Sequence, residues 1–168
     1  VEAHAQGLNW ILSPMLNTDF RGWNRMTELN SFGSDPEIAG TLGVEFLTGC
    51  QEAGVAGCVK FFPDATTNSL FTETADSISP EQLSVFEKTI NAGVASIMCS
   101  PISLDTPSWD SSSTNFNATV RDILVNRLGY KGMIVAPLVS KLTQDYAESE
   151  MSLVKDAINA GVTMFLLP

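Results

Sequence analysis

The chain has 168 residues, 44% of them hydrophobic and only 17% charged, a balance that supports a folded core and excludes a disordered tail. Acidic residues outnumber basic ones by 19 to 9, for a formal charge of −10. That argues against a nucleic-acid partner, which needs cations to displace phosphate counterions. No apolar run approaches the ~20 residues that span a bilayer, so an integral membrane protein is not expected.

The chain opens at Val1 without an initiator Met or a signal peptide, which reads as upstream processing or as a piece of a longer chain. The single histidine, His4, falls in a short N-terminal helix and cannot anchor a histidine metal cluster. Ile11 to Leu16 is the first apolar run. After a polar loop, Asp35-Pro36-Glu37 has the form of a helix start, with Asp as cap, Pro at the first position and an acid in the first turn. Ile38, Leu42 and Phe46 then recur every four residues and mark the apolar stripe. Val55 to Phe62 is the second strand. Ser79-Pro80-Glu81-Gln82 starts the next helix, with Leu83, Phe86 and Ile90 facing inward. Val94 to Ser100 is a strand, and Val120, Ile123, Leu124 and Leu128 mark a helix. Met133 to Leu138 is a strand, Met151, Val154 and Ile158 mark the last helix, and Thr163 to Leu167 ends the chain as a strand.

Three helix ends share one wording: Glu52-Ala53-Gly54-Val55, Asn91-Ala92-Gly93-Val94 and Asn159-Ala160-Gly161-Val162. Arg127-Leu128-Gly129-Tyr130 is a looser fourth. Glycine just past a helix supplies the left-handed residue that stops it. The strands that follow are continuously apolar rather than alternating, as in parallel strands covered on both faces. The expected fold is therefore α/β, with parallel βα units in an open or closed arrangement. The long polar loops 17–34, 63–79 and 101–117 each follow the C-terminal end of a strand, the rim where a (β/α) barrel builds its sites.

Chemistry is sparse on that rim. No glycine-rich phosphate loop follows any strand, and no cofactor or metal is expected. A Ser-His-Asp triad would have to use the distant His4. Cys50, Cys58 and Cys99 are an odd, low count without zinc spacing, and read best as small buried hydrophobes. The sequon Asn117-Ala118-Thr119 matters only in a secreted protein and doubles as a helix start. Rim-loop carboxylates such as Asp64 are numerous, but Asp35 reads as a helix cap and Asp76, Asp105 and Asp110 as solvated loop residues. Lys60 stands out: it lies near the C-terminal end of an apolar strand, where burial without a partner is costly, which points either to a site role or to an ion pair with a neighbouring loop acid. Trp23 and the other loop aromatics could stack on sugar rings or pack locally.

Several of these segments together resemble glycoside hydrolase family 3, the β-glucosidase and β-N-acetylglucosaminidase family. Gly7-Leu8-Asn9-Trp10-Ile11-Leu12-Ser13-Pro14-Met15 is similar to its G-(I/V)-N-x-x-x-(A/G)-P-V strand. Trp23-Asn24-Arg25 with Asn30-Ser31-Phe32-Gly33-Ser34-Asp35-Pro36-Glu37 is similar to W-G-R-x-x-E-S-F-G-E-D-P-E. Val59-Lys60-Phe61-Phe62-Pro63 is similar to A-K-H-F-P/A. Ala92-Gly93-Val94-Ala95-Ser96-Ile97-Met98-Cys99-Ser100 is similar to A-G-V-x-S-V-M-C-S, a wording that leans toward fungal members. Leu128-Gly129-Tyr130-Lys131-Gly132-Met133-Ile134-Val135 and the final Ala160-Gly161-Val162-Thr163-Met164 to Pro168 resemble L-G-F-x-G-x-V-V and A-G-x-D-M-x-x-M-P. The matches fall in family order and cover nearly the whole chain.

The resemblance implies a TIM-barrel-derived, parallel (β/α) barrel-like domain over residues 1–168, with about five βα units, a partial barrel lacking the first strands. A closed eight-stranded barrel takes ~250 residues. It also implies sugar-contacting roles for Arg25 and Lys60, with Glu28, Asn17, Asp64 and Trp23 as further ligand-binding candidates. The departures are chemical. The family's nucleophilic aspartate position is Pro137, and the histidine of the Lys-His pair is Phe61. Asn17 stands for an aspartate after A-P-V. The loop after Phe62-Pro63 holds no histidine to serve as acid. Hydrolysis by the family mechanism is therefore not expected. The expected role is binding of a glycan, small molecule or partner protein at the rim. The alternatives are re-purposed or residual glycosidase-type chemistry there, or a structural subunit or fragment of a larger assembly; the partner expected in any of these is a further copy of the chain, as a homo-oligomer, or a second chain completing the barrel. A secreted, extracellular protein is expected.

Overall fold

The apolar runs become strands that stack side by side, all in one direction. A computed structural model describes residues 1–18, 30–63, 79–99, 117–137 and 147–167. The elements in chain order are α1 (Glu2–Ala5), β1 (Trp10–Ile11), α2 (Pro36–Glu52), β2 (Ala56–Phe62), α3 (Pro80–Asn91), β3 (Ser96–Cys99), a π-type helix α4 (Asn117–Arg127), β4 (Met133–Pro137), α5 (Ala147–Ala160) and β5 (Met164–Leu166). The strands pair in sequence order, β1-β2-β3-β4-β5. Each neighbouring pair is parallel. The result is a curled half-barrel with helices outside, the α/β architecture that the sequence predicts.

The register sorts the side chains. Val59, Ile97 and Ile134 lie opposite one another across three strands and join the core beneath the helices. One residue further, Lys60, Met98, Val135 and Met164 share a row. Met98 and Val135 belong to a second, inner cluster with Cys58, against which Trp10, Phe61, Met133, Met164 and Leu166 pack. Successive residues of a strand point to opposite faces, so the two rows separate outer core from barrel interior. Phe62 meets Phe86 of α3 edge to face at 5.1 Å in the outer core.

The helix signals act locally as their chemistry requires. The Asp35 carboxylate accepts hydrogen bonds from the Glu37 and Ile38 amides at 2.8 and 3.1 Å. Ser79 and Gln82 form a reciprocal capping box. Gly54 and Gly93 take φ of 78° and 79°, the left-handed conformation that turns each helix into its next strand.

Two helix faces differ from expectation. Ile38, Leu42 and Phe46 of α2 are exposed by 53%, 43% and 37%, while Ala39, Gly40, Gly43 and Leu47 are buried. The small residues permit close approach: a Cβ at Gly43 would lie 2.7 Å from Leu16 Cδ2, and one at Gly40 would lie 2.7 Å from Lys88 Cδ. A stripe defined by large residues alone therefore misses the packed face. In α5 likewise, Ala157 and Ala160 are buried while Met151 and Ile158 are exposed. The first strand is also shorter than its apolar run. Pro14 has no N–H for the ladder, yet the chain still follows β2: Cys58 N–H donates to Ser13 O, Lys60 N–H to Pro14 O and Leu16 N–H to Lys60 O, at 3.0, 3.0 and 2.7 Å.

These faces give opposite expectations for two leucines on one helix. Leu47→Ala is expected to cost about 2–5 kcal/mol through lost burial and a residual cavity. Leu42→Ala is expected to stay within about 0.5 kcal/mol. Urea unfolding of both variants checks the assignment, and equal losses would contradict it.

Candidate functional site

Lys60 and Phe61 near the end of β2, and Pro137 at the end of β4, stand at the C-terminal ends of their strands, the mouth of the half-barrel. The ladder shifts register between Lys60 and Phe62, which places Phe61 against the inner cluster and Phe62 in the outer core. Lys60 is partly buried, and its Nζ lies 5.5 Å from the centre of the Phe61 ring. No salt bridge joins it to a described residue. Pro137 pairs with Leu166 of β5 and lies two residues beyond Val135, hence on the same face of β4. With strands about 4.8 Å apart, the Lys60 and Pro137 strands lie roughly 10 Å from each other across the mouth.

Asn17 is 1% exposed and holds this end of β2 in place. Its side-chain amide donates to Phe61 O at 3.1 Å, and its side-chain carbonyl accepts from Phe61 N–H at 3.0 Å. Sequence reasoning takes Asn17 as a ligand-binding candidate. The structure gives it a backbone-holding role that its position after Ser13-Pro14 did not reveal. Below the mouth, Trp10 Nε1–H donates to Ser96 Oγ at 2.8 Å, and Ser96 Oγ–H donates to Gly57 O at 2.9 Å. This bridge satisfies a buried hydroxyl across three strands; the lone Ser inside an apolar strand is the signal that could have found it.

Of the other sequence candidates, Arg25, Glu28, Trp23 and Asp64 lie outside the described residues. His4 is at the opposite end of the strands, near Gly54 before β2. Among the described residues no group of three His, Cys, Asp or Glu could hold a metal ion. A shallow groove lies between the starts of α2 and α3, lined by Ser34, Asp35, Pro36, Glu37, Glu81 and Ser84. Three of its polar side chains are already engaged: Asp35 caps α2, Glu37 pairs with Lys88 at 2.6 Å, and Ser84 Oγ–H donates to Glu81 O at 2.7 Å. All three cysteines are free thiols, Cys58 and Cys99 buried and Cys50 partly so. Burial pushes the Cys99 thiol up to about 12, with the nearby Cys58 adding to it. Burial also raises Cys58, while Ser96 and Lys60 act against it. The Tyr130 phenol is raised for the same first reason, burial.

Five parallel strands in sequence order with helices outside define the half-barrel as a domain of the (β/α)-barrel class, which builds its sites at the C-terminal ends of the strands. The profile of the "Glycosyl hydrolase family 3 N terminal domain" matches residues 1–168, and the chain belongs to that family. It is 26% identical over 188 residues to a β-N-acetylglucosaminidase/β-glucosidase from Cellulomonas fimi, covering 98% of this chain and 32% of the relative. It is 26% identical over 175 residues to a β-hexosaminidase from Thiobacillus denitrificans, covering 99% of this chain and 48% of the relative. A β-N-acetylhexosaminidase structure from Beutenbergia cavernae superposes with a TM-score of 0.71 at 26% identity, over 99% of this chain and 53% of that one. The chain thus spans about half or less of the length of these relatives. The relatives are mostly bacterial, and they do not establish the fungal leaning of the Met-Cys-Ser wording.

The thiol environments predict selective chemistry. At pH 8, Cys50 is expected to react with a disulfide reagent well before Cys58 and Cys99, and all three are expected to react in denaturant. Because the folded thiols and phenol hold their protons longer than the unfolded chain, stability is expected to fall as pH rises from about 9 toward 12. Thiol titration and denaturation against pH measure these effects; rapid native labelling of Cys99 would contradict the buried placement.

Proposed function

We propose that this glycosyl hydrolase family 3 domain binds carbohydrate at the half-barrel mouth without hydrolysing it by the family's two-step mechanism. The observation that carries this reading is Pro137 at the end of β4, on the inward face, where the family pattern has its nucleophilic aspartate. A retaining glycosidase needs a carboxylate there to form the glycosyl-enzyme intermediate, and proline has no side-chain oxygen. Phe61 likewise offers an apolar ring where the pattern has a hydrogen-bonding histidine. Lys60 keeps its place, and the Asn17 hydrogen bonds hold the adjoining backbone. Curated relatives named for β-glucosidase, β-N-acetylglucosaminidase and β-hexosaminidase activity support a sugar as the ligand class. Arg25, Glu28, Asp64 and Trp23 remain candidates for the rim contacts.

Aryl β-glucosides and aryl β-N-acetylglucosaminides are expected to show no turnover above that of a Lys60→Ala control. Calorimetric titration with glucose, N-acetylglucosamine or cellobiose is expected to give heat that Lys60→Ala diminishes. Turnover above the control would overturn the non-hydrolytic reading, and the absence of heat with every sugar would overturn the binding one.

A further inference from the structure

The curled sheet ends in two edges. Among the described residues, β1 pairs with β2 alone, save for one bridge from Met15 to Ser31, and β5 pairs with β4 alone. Edge N–H and C=O groups invite pairing with a further strand. Apart from Val1, the large exposed hydrophobic side chains gather at these same edges. Leu8 and Leu12 flank β1, and Ile38, Leu42 and Phe46 line one flank of α2. That flank is on the β1 side. The opposite one meets α3, where Gly40 lies against Lys88 and Val85, while Phe46 meets Phe32, next to Ser31, at 6.3 Å. At the other edge, Leu167 is exposed just past β5, and Met151 and Ile158 are exposed on α5. The exposed Lys155 stands between those two, one turn from each, and the exposed Glu45 borders the α2 row. The two edges are thus alike in apolar content and opposite in the charge each carries.

We propose that a second copy of this chain covers the edges, the β5–α5 edge of one copy docking on the β1–α2 edge of the other. The parallel ladder then continues from β5 into the β1 of the second copy. The α2 of that copy packs beside α5 as α3 packs beside α2 within one chain, with Lys155 set toward Glu45. Neither charge has an opposite one a turn away on its own helix. Lys155 has Met151, Ser152, Ile158 and Asn159 there, and Glu45 has Thr41, Leu42, Thr48 and Gly49. A contact of α2 with α2 would instead set acid beside acid, so charge favours the unlike edges. Such a contact is heterologous. Two curled halves related by a two-fold axis along the barrel meet at both edges at once, which closes the assembly at a pair. The net charge of −10 on each copy opposes the contact and is screened by salt. The pair therefore forms in concentrated solution and parts on dilution.

Sedimentation equilibrium over a wide range of protein concentration, in salt that screens the net charge, tests this. Monomers are expected when dilute and pairs when concentrated. Ile38→Asp and Ile158→Asp, one on each edge, are each expected to raise the dissociation constant roughly tenfold. Both side chains are exposed, so the fold is expected to survive, and circular dichroism checks it. Lys155→Glu is expected to weaken the pair, and adding Glu45→Lys to recover it. A chain that stays monomeric at every concentration would overturn the proposal and leave the edges to another partner. A pair weakened by Ile38→Asp and untouched by Ile158→Asp would overturn the docking of unlike edges. A double variant no tighter than Lys155→Glu alone would overturn the contact between Lys155 and Glu45.

Discussion

The central strands of the sheet are largely buried, so they must satisfy their backbone groups sideways, through the ladder. That requirement fixes which residues lie opposite which, and so which side chains face the barrel interior. Once Val59, Ile97 and Ile134 are aligned in the outer core, Lys60, Met98, Val135 and Met164 are aligned inside. A slip of one residue in β2 would put the ammonium into the helix-facing core and Val59 into the interior. The outer row is apolar on three strands, so the register with Lys60 inside is strongly favoured.

The ladder alone does not hold the mouth. Pro14 breaks the first strand's pairing, and β1 is only two residues long. The segment after it nonetheless tracks β2 through backbone bonds to Cys58 and Lys60, and ends at the buried amide of Asn17. A side chain there stands in for ladder bonds, with a donor and an acceptor matched to the N–H and C=O of Phe61. An aspartate at position 17 would keep the acceptor and lose the donor when ionised, setting a charge against a carbonyl oxygen. The amide at position 17 thus suits a residue that holds backbone through both its donor and its acceptor.

Much of the fold was legible in the sequence because its signals are local. Asp35 and Ser79 cap their helices with their own side chains, and the glycines at 54 and 93 end theirs by backbone geometry, so each could be read within a few residues. Packing was less legible. The buried side of α2 is made by Ala39, Gly40 and Gly43, whose contribution is the absence of bulk, and periodicity of large residues pointed to Ile38, Leu42 and Phe46 instead. The candidate site divides the same way. Lys60 and Pro137 were visible as departures or survivals within a strand pattern. The Asn17 role depends on contact with a residue 44 positions away, which no local pattern encodes.

The account stands on the end of β2 being the ligand-facing part of the molecule. Backbone amide shifts recorded during titration with a monosaccharide test that most directly. The account predicts perturbations centred on Asn17, Lys60 and Phe61, with the acidic groove at Ser34 to Glu37 undisturbed. Shifts confined to that groove, or saturable binding with no change at Lys60 and Phe61, would contradict it.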